Sequence, residues 1–280
     1  CYGYVLADHG DPTLGRLFVR LTGSGPSPLL QLMDHRHSVR LMNFGIAFLY
    51  ETDTACALQL LDWQGRLKVD YALDPTLRYS MLGSALLADG TLRALTVDRP
   101  RADSGESARM ILRTFSNAGA LRSEQAVQSP YIGGFNDTVA FDSDGGLVVC
   151  TAPLADYKIQ QIIRMDVQNN VLYQKTLAAP ETVVSVQAAC PSAAGSVVLY
   201  GTAMANSRGL FTVFRLELDA QGHILSRDIR DFTTRAIHLY DVTLDALGNA
   251  YVIADDYLNP IAVVPFEDLP AHDDPGLALE

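Results

Sequence analysis

Apolar runs in this chain are short. Gly, Asp or Arg cuts even the most apolar segments every six to eight residues, which suits β-strands and leaves no stretch long enough to cross a membrane as a helix. Two kinds of run recur. "LVVC" at 147–150, "VVLY" at 197–200, "YVI" at 251–253 and "IAFLY" at 46–50 are apolar on both faces, as a strand buried between two sheets requires. "FTVFRLEL" at 211–218 alternates instead, setting Phe214, Leu216 and Leu218 against Arg215 and Glu217. Capped helical runs are absent, and the strand candidates come in fours, for example 137–142, 146–152, 159–166 and 171–178.

Turns punctuate these runs at regular intervals. One hairpin turn occurs at Asp62 to Gly65, Ser116 to Gly119, Asp166 to Asn169 and Asp219 to Gly222, at spacings of 54, 50 and 53 residues. Asp or Ser at the first position can accept backbone N–H groups, and Gly or Asn at the fourth tolerates positive φ. A second turn follows each of these by 25 or 26 residues, at Gly90, Gly145, Gly195 and Gly248, with an earlier copy near Gly45. Such near-constant spacing predicts repeated four-stranded antiparallel units.

These turns and runs resemble bacterial β-propeller repeats of the D-x-x-G hairpin type. The Trp-Asp strand ending of WD repeats is missing, as are the paired glycines and aromatics of kelch repeats. The resemblance implies one all-β domain over residues 1–280, a β-propeller of four-stranded antiparallel blades, and six inner-turn positions, near Cys1, Gly45, Gly90, Gly145, Gly195 and Gly248, predict six blades. Two further matches suggest how it closes. "CYGYVLAD" at 1–8 nearly repeats "GNAYVIAD" at 248–255, and "GLALE" at 276–280 resembles the innermost strand "DVTLD" at 241–245. The C-terminal residues are therefore expected to supply the first blade's missing inner strand, so that the two termini pair.

Composition then narrows the function. A net charge of −11 and a pI near 4.9 oppose binding to nucleic acid or anionic membrane. Cys1, Cys56, Cys150 and Cys190 form no C-x-x-C pair, so neither zinc nor a disulfide framework is expected, and Cys150 and Cys190 read as inert buried thiols. The start at Cys1 suggests an extracytoplasmic protein whose signal segment has been removed, or a piece of a longer chain.

For ligand binding, the resemblance points to the face made by the loops after the second and fourth strands of each blade. Acidic residues mark the second-strand loops, with Asp8, Asp53, Asp98, Asp255 and Asp256 as candidates and His9 beside the first. The fourth-strand loops bring Arg36, His37, Arg78, Tyr79, Tyr131, Arg235 and His238. Converging carboxylates can hold Ca²⁺ or a cation, or do acid and base work. Solvated loop tips are the simpler reading of them, and no cofactor is expected. Arg and aromatic groups anchor protein, peptide or carbohydrate ligands. No G-x-S-x-G elbow, phosphate-binding glycine loop or H-E-x-x-H occurs. The expectation is a non-enzymatic binding module of the bacterial envelope. The alternatives are a hydrolase, lyase or lactonase with carboxylates at the channel mouth, and a purely structural docking domain.

Overall fold

A computed structural model describes residues 3–8, 16–22, 25–32, 37–42, 45–51, 55–62, 64–101, 107–129, 137–152, 158–180, 182–192, 194–205, 210–232, 238–245, 248–256, 259–273 and 275–280. Side chains are described from residue 45 onward, except at strand positions 50–51, 205, 210–211, 238–241, 254–256 and 259–262. The chain divides into two units, Cys1–Ala126 and Val127–Glu280.

The first unit carries three antiparallel sheets in chain order. They are β1 (Gly3–Asp8), β2 (Arg16–Thr22) and β3 (Gly25–Leu32); then β4 (His37–Met42), β5 (Gly45–Glu51), β6 (Cys56–Asp62) and β7 (Leu67–Leu73); then β8 (Leu77–Leu86), β9 (Leu92–Pro100), β10 (Arg109–Phe115) and β11 (Leu121–Val127). Each sheet is a meander in which consecutive strands pair.

The second unit repeats the plan. Its first sheet is β12 (Thr138–Phe141), β13 (Leu147–Thr151), β14 (Ile159–Met165) and β15 (Val171–Ala178). The next is β16 (Thr182–Pro191), β17 (Val197–Ala205), β18 (Leu210–Leu218) and β19 (Ile224–Asp231). The third is β20 (His238–Leu244), β21 (Ala250–Asp256) and β22 (Asn259–Pro265). A single 3₁₀ turn, Phe266–Asp268, and a last short strand, β23 (Ala278–Leu279), complete the described elements.

The predicted turns form through one recurring set of hydrogen bonds. In the first, the Gly65 N–H bonds to the Asp62 carbonyl at 2.8 Å, and the Asp62 carboxylate accepts the N–H groups of Gln64 and Arg66 at 3.0 and 2.9 Å. Asp142 and Asp219 repeat the pattern with the N–H groups two and four residues on. The fourth position is left-handed in every copy, with φ of 78° at Gly65, 81° at Gly119, 79° at Gly222 and 69° at Asn169. Three of these hairpins carry a register shift just before the turn, the bulge that a left-handed residue produces. The turns also dock on the neighbouring sheet: a Cβ on Gly119 would stand 2.3 Å from the Lys68 carbonyl oxygen of β7.

Packing follows the predicted burial. All five residues of β13 are buried, as are the first seven of β9, whereas β18 buries Phe214, Leu216 and Leu218 and leaves Arg215 and Glu217 partly exposed. Successive sheets meet face to face. Leu58, Leu60 and Val69 pack on Tyr79, Met81 and Leu92 in the first unit, and Cys150, Ile162 and Leu177 pack on Val184, Leu199 and Phe214 in the second. Within each unit, first strands of successive sheets lie against one another, β4 against β8, β12 against β16 and β16 against β20. The fold is all-β, and the described residues form six antiparallel sheets.

Two expectations are corrected. The C-terminal strand does not join the first sheet: Leu279 and Ala278 pair with Leu177 and Ala178 at the outer edge of β15. Leu277 is buried there beside Tyr173 and Leu177, so an apolar anchor and an open sheet edge fix the placement. The preceding residues add to another outer edge, with Ala271 bridging Arg230 of β19. Cys190 is exposed rather than buried: it lies near the end of β16, an edge strand of its sheet, next to the buried Ala189. Cys150 is buried and unpaired, and burial pushes its thiol far above the usual range.

Candidate ligand-binding cleft

A cleft of about 280 Å³ opens between the second and third sheets of the first unit. Its walls are the ends of the outer strands, Tyr71 to Leu73 of β7 and Glu124 to Ala126 of β11. Asp74, Leu77 and Tyr79 lie at and beyond the β7–β8 connection, Asp98 near the end of β9, and Arg109, Ile111 and Arg113 along β10. The cleft therefore sits where second and fourth strands end, the end that the loop classes single out, but between two sheets.

Strand alternation builds its polar floor. Arg109, Ile111 and Arg113 share one face of β10, and Tyr79, Asp98 and Arg109 are direct cross-strand partners on β8, β9 and β10. Asp98 and the Arg113 side chain are about 4–5% exposed, and the Arg113 Nη2 donates to the Asp98 carboxylate at 2.8 Å. The Thr96 hydroxyl donates to the other Asp98 oxygen at 2.6 Å. The Arg113 Nε reaches Glu124, whose side chain is 41% exposed and faces the cleft. A buried charge is tolerated when paired and hydrogen-bonded on all sides, and Arg113 meets that condition.

Two tyrosines complete the walls. The Tyr79 ring lies 5.7 Å from the Arg113 guanidinium, and its hydroxyl donates to the Asp74 carbonyl at 3.1 Å. Burial, with the Asp98 charge adding to it, pushes the Tyr79 hydroxyl up to about 12. Tyr71 is half-buried and held edge-on by Phe115 at 5.5 Å between ring centres. Burial and the neighbouring Glu124 carboxylate raise its hydroxyl as well.

Of the thirteen candidates, Tyr79 and Asp98 are brought together here. Asp98 is not the loop-tip acid that its setting in "TVDRP" suggested. It belongs to β9, which runs to Pro100, and it is buried because Arg113 compensates its charge. Arg78 follows the alternation outward, is exposed and does not line the cleft. Asp8, His37, His238, Asp255 and Asp256 stand on strand backbone at the expected sheet ends, with His238 opposite Asp255; their side chains lie outside the described set. His9, Arg36, Asp53, Tyr131 and Arg235 lie outside the described residues altogether. Tyr71, Arg113 and Glu124 were not anticipated. A signal did exist for Arg113: three residues before their turns, the other third strands hold Gln59, Ile163 and Leu216.

A second buried ion pair, Arg164 with Asp142, lies in the second unit. Arg164 also donates to the carbonyls of Met165 and Ser192, tying one sheet to the next. Its role is to hold the Asp142 turn. Among the described residues no group of three or more His, Cys, Asp or Glu gathers to hold a metal ion, and no helix is long and apolar enough to cross a membrane.

The described residues define an all-β protein of repeated antiparallel sheets with a small polar cleft between two of them. No protein-family model and no curated protein matches the chain. Solved structures do. A protein from Lactobacillus plantarum is 15% identical with a TM-score of 0.51, over 100% of this chain and 84% of that one. A luciferin-regenerating enzyme is 12% identical, with a TM-score of 0.43 over 99% of this chain and 89% of that one. The WD40 domain of SCAP from fission yeast is 10% identical, with a TM-score of 0.39 over 85% of this chain and 72% of that one. At these identities the likeness to the first is one of fold alone.

Proposed function

We propose that the chain is a non-catalytic binding module, a six-bladed propeller that takes a small polar ligand in the cleft between Tyr71 and Arg113. The observation that carries this reading is how the acids are used. Both oxygens of Asp98 are occupied by Thr96 and Arg113, and Glu124 gives one oxygen to Arg113. Carboxylates committed to a buried arginine serve as fixed acceptors, not as a mobile acid and base pair. What remains for a ligand is the exposed part of Glu124, the Arg109 guanidinium, the Tyr71 ring and the apolar side of Ile111 and Leu77. That mixture of apolar wall and a few convergent polar groups typifies small-molecule sites, although 280 Å³ is near the lower end of their range of roughly 300–1,000 Å³.

Binding of sugar and peptide arrays to the whole chain, followed by calorimetry on every hit, tests the proposal. A hit whose affinity falls at least tenfold in Tyr71→Ala and which the protein leaves chemically unchanged supports it. Turnover of the hit, abolished by Glu124→Gln, would favour the alternative, a hydrolase or lyase. We further propose that the module lies on the extracytoplasmic side of a bacterial envelope. Fractionation of the producing cells checks that placement.

A further inference from the structure

Resting on the binding reading above, we infer that the cleft recognises a carboxylate-bearing sugar, a uronate, and that Arg109 receives its carboxylate. Strand register makes Arg109 the direct cross-strand partner of Asp98. Opposite charges in that relation ordinarily pair. Here they do not: Arg113, four residues further along the same face of β10, takes Asp98 together with Thr96. Arg109 is left exposed at the cleft with no side-chain partner among the described residues.

The geometry separates two tasks. Arg113 neutralises the buried acid and organises Glu124, whereas Arg109 keeps its planar donor fork for an incoming group. A guanidinium of this kind matches a carboxylate through two parallel hydrogen bonds. The remaining wall asks for more than an anion. The free oxygen of Glu124 needs a donor, which a hydroxyl supplies and a bare carboxylate does not. The Tyr71 ring, braced by Phe115, offers a flat apolar surface of the sort on which the C–H face of a sugar ring rests. A ring bearing one carboxylate and several hydroxyls satisfies all three, and a neutral sugar leaves Arg109 unused.

Calorimetry with a galacturonate tetramer, the neutral galactose tetramer and a tetrapeptide with a free C-terminal carboxylate tests this on the whole chain. The uronate should bind at least about tenfold more tightly than the neutral sugar, the factor expected of one charge-assisted pair. Arg109→Gln should erase that difference, Arg109→Lys should keep part of it, and added salt should weaken it. Arg109 is exposed, so the variants should fold as the parent does, and a thermal melt of each verifies this. Equal binding of the neutral tetramer, an unchanged affinity in Arg109→Gln, preference for the peptide, or no binding of the uronate overturns the inference. The Tyr71→Ala variant distinguishes the two failures. If the neutral sugar or the peptide binds and loses affinity there, the cleft reading stands without the uronate; if a bound ligand ignores Tyr71→Ala, the cleft reading itself falls.

Discussion

Leu279 pairs with Leu177 across an antiparallel ladder, at the outer edge of a sheet whose other strands lie more than a hundred residues earlier. Two hydrogen bonds between Glu280 and Thr176, at 2.8 and 3.0 Å, extend that pairing. The C-terminal segment therefore protects the edge of β15 and anchors itself through Leu277, which is 1% exposed. Leu277→Ala should destabilise the second unit by about 2–4 kcal/mol, the range for truncating a buried leucine. Deleting residues 276–280 should do at least as much and promote association through the exposed edge. Urea unfolding and size-exclusion chromatography measure both, and hydrogen exchange should show faster exchange at the Thr176 amide. An unchanged midpoint in Leu277→Ala would mean that the strand is a loose tail.

Arg113 holds two carboxylates, one of them buried. Arg113→Met should cost about 3–5 kcal/mol by leaving the Asp98 charge unpaired inside the protein. Adding Asp98→Leu to that variant should recover much of the loss, because no buried charge then remains. Denaturant melts of the two single variants and the double variant form the cycle; additive costs would contradict the coupling.

Two glycines separate backbone strain from crowding. Gly119 and Gly248 both have positive φ, 81° and 85°, but a Cβ at Gly248 would meet nothing within 4 Å whereas one at Gly119 would collide with the Lys68 carbonyl. Gly248→Ala should cost about 1 kcal/mol, the conformational part alone. Gly119→Ala should cost clearly more, since β7 must move. Thermal melts of the two variants rank them, and equal losses would count against the turn's docking on β7.

Tyr79 predicts an alkaline effect. Its hydroxyl is raised from 10.0 to about 12, first by burial and then by Asp98. The unfolded chain therefore loses this proton before the folded one does, so the stability linked to Tyr79 is intact below pH 10 and declines as pH rises from there towards 12. Tyr79→Phe should remove that part of the decline. Stability measured against pH checks the slope, and ultraviolet titration should find one fewer late-ionising tyrosine in Tyr79→Phe than in the parent, where Tyr71 and Tyr173 are raised as well.

Much of the fold was legible because its signals are local. Asp62 and Gly65 specify their turn within four residues, and the doubly apolar "LVVC" of β13 could only be buried between sheets. The C-terminal pairing was not legible. "LALE" contributes only two ladder pairs, a pattern that fits any open edge, and the choice of β15 rests on the pocket that receives Leu277. The cleft was half legible. Tyr79 and Asp98 were found through their place near strand ends, but Arg113 and Glu124 lie on third and fourth strands, where side-chain pairing across the sheet, not sequence spacing, gives them their role.

The proposed binding site lies between the second and third sheets of the first unit. Hydrogen exchange of the whole chain with and without a bound ligand from the array tests it most directly. Ligand held in the cleft should add protection in peptides covering 71–79 and 107–126 and change little around the turns at 166–169 and 219–222. Protection confined to those turns, or absent from both predicted segments while the ligand is saturating, would contradict it.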